Sequence, residues 1–86
     1  MANINTAQSL LIKARAARAE GLYTEAANMA LAAQRTAKQC RAAVRGELAW
    51  NAHNVVASCK IKAASHTDRS NTGRALAESQ AIGWDF

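Results

Sequence analysis

Apolar residues recur at helical spacing along most of the chain. Ala7, Leu10, Leu11, Ala14 and Ala17 follow i, i+3, i+4, i+7, the face of an amphipathic helix. The pattern predicts a first helix over about 6–20, with Asn5 or Thr6 to cap it and Gly21 to end it. Ile12, Ala16 and Ala19 form a weaker ridge on its far side. A second helix over 23–45 follows, with Thr24 as N-cap and Glu25 in its electropositive first turn. Its stripe of Ala26, Ala30, Ala33, Ala37, Cys40 and Val44 steps alternately by four and three, a heptad seam, with Met29 beside it.

At Gly46 the seam breaks, because continuing it would turn Glu47 and Asn51 inward. The apolar set restarts at Leu48, Ala52, Val55 and Cys59, with Val56 and Ala63 at its margin. This places a turn near 45–47 and a third helix over 47–64. The alternative is one continuous helix over 24–64 with a stutter in its heptads. The third helix carries a second apolar ridge, Trp50, Ala57 and Ile61. A helix apolar on two sides is sandwiched or offers one side to a partner. Residues 65–73 read as a polar loop, and a short fourth helix over 74–82 presents Ala75, Leu76, Ser79 and Ile82 before Gly83 ends it. Trp84 and Phe86 make an aromatic C-terminal tail over 83–86.

These elements add up to a single small all-α domain over 1–86, a three- to four-helix bundle. Composition agrees with that. Of 86 residues 22 are alanine, none is proline, and Leu, Ile, Val and Phe total only 14. Alanine is the best helix former and proline the worst. Alanine seams let helices approach closely but bury little area, so each large side chain must either cover this thin core or anchor something else.

The formal net charge is +5, from 11 Lys and Arg against 6 Asp and Glu. Arg35, Lys38, Arg41 and Arg45, with Gln34, line the second helix as a polar and basic stripe, and Lys60 and Lys62 close the third. Such a stripe is a solvated helix face or a track for phosphates. Cys40 and Cys59 lie in no CxxC motif and are too far apart in an antiparallel hairpin for a disulfide, so they read as free buried thiols in a reducing, cytoplasmic setting. The N-terminus lacks the unbroken apolar stretch of a signal peptide, and no apolar run approaches membrane-spanning length.

Residues 10–34 resemble the helical hairpin of a tetratricopeptide repeat. Leu10, Ala14, Gly21, Tyr23, Ala26 and Ala33 fall at that family's preferred spacings. The Gly21–Ala27 turn is also similar to that of microtubule-interacting-and-transport modules. Lys13, Ala17 and Ala30 depart from the repeat's pattern, and the match occurs once where solenoids stack about three. Both resemblances imply a hairpin that binds peptides or helices of partner proteins.

No nucleophile–base spacing, phosphate loop, carboxylate cluster or metal-ligand motif stands out, so a non-enzymatic role without cofactor is expected. The leading expectation is docking on a larger protein or ribonucleoprotein as an adaptor or inhibitor, with Trp50, Ile61, Trp84 and Phe86 as anchors. Direct DNA or RNA binding through the basic stripe is the alternative. Self-association, as a homodimer or larger helical assembly, is the third reading.

Overall fold

A computed structural model describes residues 4–40, 45–63 and 69–83, and of residues 69–71 the backbone only. These residues form an all-α bundle of four helices: α1 (Ile4–Ala19), α2 (Tyr23–Gln39), α3 (Arg45–Ala63) and α4 (Arg69–Ile82). Among them, no helix is long and apolar enough to cross a membrane. The bundle measures 38 × 23 × 18 Å. Helices α2 and α3 form its central pair. Helix α1 and helix α4 each pack against both, but not against one another, so they cover the pair from opposite sides.

The alanine seams are buried as their spacing implies. Ala7, Leu11, Ala14 and Ala17 of α1 close on Ala26, Ala30, Ala33 and Ala37 of α2, and Leu48, Ala52, Val55 and Cys59 of α3 join the same core. Ala27, Leu31 and Gln34 are buried as well. They add a second inward ridge to α2, because a central helix has neighbours on more than one side.

Gly21 adopts φ +82°, which its missing Cβ permits. Its N–H reaches the Arg18 carbonyl and the Leu22 N–H the Ala17 carbonyl, both at 3.0 Å, closing α1 as a Schellman motif. Gly83, at φ +78°, ends α4 with its N–H on the Ser79 carbonyl at 3.1 Å. Both glycine stops are therefore where the sequence puts them. The N-caps are not. Asn5 and Thr6 lie inside the first turn of α1, and the cap of α2 is Leu22, without a side-chain hydrogen bond.

Two boundaries differ more. Helix α2 stops at Gln39 rather than 45, with Cys40 in an extended conformation (ψ 153°) and its thiol on the Thr36 carbonyl at 3.1 Å. This rules out the continuous 24–64 rod. Gly46 belongs to the first turn of α3, and Arg45 donates from Nη1 to the Cys40 carbonyl at 2.7 Å, tying the helix start to the end of α2. The heptad pattern could not mark this stop, because the residues around it are as helix-prone as those before.

The second difference is α4, which begins at Arg69, so residues 69–73 of the expected loop are helical. Thr72, Ala75 and Ser79 share one buried face at steps of three and four. Tertiary burial overrides the weak helix propensity of Ser, Asn, Thr and Gly there. Residues 65–68 of that loop lie outside the described residues.

The two glycine environments give opposite predictions. A Cβ at either Gly21 or Gly73 meets nothing within 4 Å. Gly21→Ala should cost about 1–2 kcal/mol, from left-handed strain alone. Gly73→Ala, inside α4, should stabilise by about 0.5–1 kcal/mol. Urea unfolding followed by circular dichroism measures both, and a neutral or destabilising Gly73→Ala would contradict a helix through that position.

Candidate functional site

The α4 side of the central pair is held by polar side chains. Gln34 on α2 has no exposed surface. Its Nε2 donates to the carbonyls of Ser79 and Gly83, both at 3.0 Å, and its Oε1 accepts from Ser79 Oγ at 2.5 Å. One turn on, Lys38 Nζ donates to the Ile82 carbonyl. Two α2 side chains thus satisfy the Ile82 and Gly83 carbonyls that the α4 ladder leaves over, while the Ser79 carbonyl accepts from Gln34 in addition to the Gly83 N–H. Arg35 adds an exposed ion pair to Glu78 at 3.0 Å, and Arg74 lies 3.8 Å from the same carboxylate.

His53 on α3 completes this clasp. Its Nδ1 lies 2.9 Å from Ser79 Oγ. Because Gln34 Nε2 spends its protons on carbonyls, Oε1 needs the Ser79 proton, and Ser79 Oγ must then accept from His53. Neutral His53 therefore carries its proton on Nδ1. Burial holds its pKa below the ordinary 6.5. Ser79 and His53 resemble a nucleophile and base, but Ser79 is sealed and its proton is committed to Gln34. The pair binds helices together rather than a substrate.

On the outer side of His53 sits Trp50, its ring stacked at 5.7 Å between centroids with 29° between planes. Trp50 remains 44% exposed and Ile61 75% exposed, with half-buried Ala57 between them. The second ridge expected on α3 is therefore real and faces outward. On the α1 side of the same helix, Arg18 Nη1 donates to Ser58 Oγ at 2.6 Å. Cys59, just beneath, is a free, fully buried thiol, as is the largely buried Cys40. Burial raises the Cys59 pKa against the opposing pull of the Arg18 and Lys62 cations, which disfavours its thiolate.

The basic stripe is dispersed by the fold. Gln34 leaves it for the interior. Arg35, Lys38 and Arg45 bond to Glu78, to the end of α4 and to Cys40. Lys60 and Lys62 lie exposed on the last turn of α3, on either side of Ile61. Arg41, Trp84 and Phe86 fall outside the described residues.

Among the described residues no group of three or more His, Cys, Asp or Glu could hold a metal ion. An open polar groove of roughly 340 Å³ between α2 and α4 is lined by Thr24, Asn28, Arg74, Ala75 and Glu78. No protein-family model, curated protein or solved structure matches this chain. Gln34, His53 and Ser79 were not expected to act together. The one available signal was Ser79, which shares a helix face with Ala75, Leu76 and Ile82, where a polar residue needs a partner; Gln34 fell on the polar stripe of the second helix.

Two predictions follow from the clasp. Gln34→Leu removes the donor to two carbonyls and strands the Ser79 hydroxyl, which should cost about 1–3 kcal/mol in chemical unfolding. His53 is harder to protonate in the folded than in the unfolded chain, so the unfolded state binds more protons as pH falls. Its contribution should be complete above pH 6.5 and be lost as the pH drops through 6.5 toward the lower folded value. Melting curves from pH 8 to pH 5 should show this decline, and His53→Gln should flatten it.

Proposed function

We propose that this chain is a non-enzymatic docking protein that binds a larger protein or ribonucleoprotein through the outer face of α3 and modulates it as an adaptor or inhibitor. The observation that carries the reading is the exposure of Trp50 and Ile61 on one face of a helix whose other face is fully packed. Tryptophan is enriched among residues that dominate binding energy. Stacking on His53 restrains its ring before any partner arrives, which lowers the ordering cost of association. Lys60 and Lys62 at the rim, within a net charge of +5, favour encounter with an acidic surface.

Phosphate binding by the stripe has less support. A nucleic acid would compete with the intramolecular partners of Arg35, Lys38 and Arg45. The helical-hairpin resemblance of residues 10–34 is compatible with peptide or helix binding and adds no separate anchor.

The test is capture from host extract on the immobilised full chain, with and without nuclease, comparing wild type, Ile61→Glu and Trp50→Ala. A protein retained after nuclease and lost with Ile61→Glu is the expected result. The stability of that variant should stay within about 0.5 kcal/mol of wild type, because Ile61 is exposed. Bound material that disappears with nuclease, or that Ile61→Glu retains undiminished, would count against docking through α3.

A further inference from the structure

The exposed stripe of α3 is self-complementary. At 100° per residue, Trp50, Asn54, Ala57 and Ile61 fall within about 60° of one another. A two-fold axis crossing the helix between Val55 and Val56 exchanges position 50 with 61 and position 54 with 57. With a second copy laid antiparallel, Trp50 of each chain meets Ile61 of the other, about 16 Å apart along the helix at 1.5 Å per residue. Asn54 and the small Ala57 occupy the crossing, where backbones come closest.

The charges follow the same symmetry. Glu47 lies about 60° to one side of Trp50, and Lys62 about 120° to that same side. A two-fold of this kind keeps sides, so Glu47 of each copy comes within a turn of Lys62 of the other. Glu47 and Lys62 are exposed, and neither takes part in an ion pair among the described residues. Parallel pairing would instead leave Glu47 and Lys62 about 22 Å apart along the helix, at 1.5 Å per residue.

We infer that, in the absence of another partner, the outer face of α3 is covered by a second copy of this chain in a two-fold antiparallel pair, with Trp50 on Ile61 and Glu47 beside Lys62 at both ends. This rests on the reading of that face as a docking surface and names its occupant when the protein is alone. The interface is isologous, so it closes at two copies. Two large anchors per chain offer less than the ~800 Å² per partner of a standard stable complex. The pair is therefore weak, with a dissociation constant on the order of 100 µM.

Sedimentation equilibrium of the full chain, from about 10 µM to about 1 mM, brackets that constant. The apparent mass should rise from 9.2 kDa toward twice that value. Ile61→Glu should weaken pairing at least about tenfold. Glu47→Lys and Lys62→Glu should each weaken it at low salt, and the double exchange should restore it. Circular dichroism confirms that each variant is folded. A monomer at the highest concentration, a dimer indifferent to Ile61→Glu, a failed double exchange, or assembly beyond two copies would each overturn the inference. A monomer that still captures another protein in an Ile61-dependent way would sink the pair and leave the docking proposal standing.

Discussion

Gln34 is the point on which the fourth helix depends. Its amide joins Ser79 and Gly83 of α4 to α2, and through Ser79 it reaches His53 of α3. A helix of 14 residues is marginal alone in water. Along its described face α4 buries Thr72, Ala75 and Ser79, with Leu76 only partly covered, so its apolar area is small. Hydrogen bonds in the dry interior, and the cost of leaving those groups unpaired, replace the area a leucine-rich helix would bury. No buried side-chain nitrogen or oxygen among the described residues lacks a hydrogen-bond partner.

The two sides of the central pair are thus held by different physics. Toward α1 the contact is mainly alanine on alanine, with Leu11 and one Arg18–Ser58 hydrogen bond added, and stability comes from close approach and dispersion between tightly fitted helices. Toward α4 it is a connected polar network with a titratable group inside. The acid sensitivity expected of this fold therefore belongs to the α4 side. The cations share in this division. Lys38 and Arg45 each donate to a carbonyl at a helix end, as positive groups near a C-terminus should.

This arrangement also explains what is left outside. Because α1 and α4 cover the central pair from opposite sides, a strip of α3 between them meets neither. Trp50 spans the boundary, stacked on the buried His53 and still open to solvent. The exposed ridge is therefore a consequence of the layer order, and at Trp50 it rests on the clasp through His53.

Much of the fold was legible in the residues. The seams Ala7–Ala17 and Ala26–Cys40, the stops at Gly21 and Gly83, and the second ridge on α3 all follow from spacing and from which residues tolerate a left-handed turn. The Cys40 stop was hidden, because a heptad pattern records which face is apolar and not where the chain turns back. Residues 69–73 were misread as loop because Ser, Asn, Thr and Gly favour loops locally, and only burial of Thr72 alongside Ala75 and Ser79 reverses that preference. Of the candidate site, Trp50, Ala57 and Ile61 could be placed on one face, but periodicity could not say whether that face was covered.

By itself, the sequence determined a helical, alanine-seamed chain with two glycine-closed turns and an excess of positive charge. Those properties are local: they depend on propensity, spacing and side-chain size. Only the tertiary structure decided that Gln34 is interior, that Lys38 and Arg45 serve helix ends, that His53 is a buried neutral donor, and that Trp50 and Ile61 face outward. Each of these depends on which groups from distant segments meet. A polar residue on a helix is a surface residue or a core hydrogen-bonding hub according to what the fold sets opposite it.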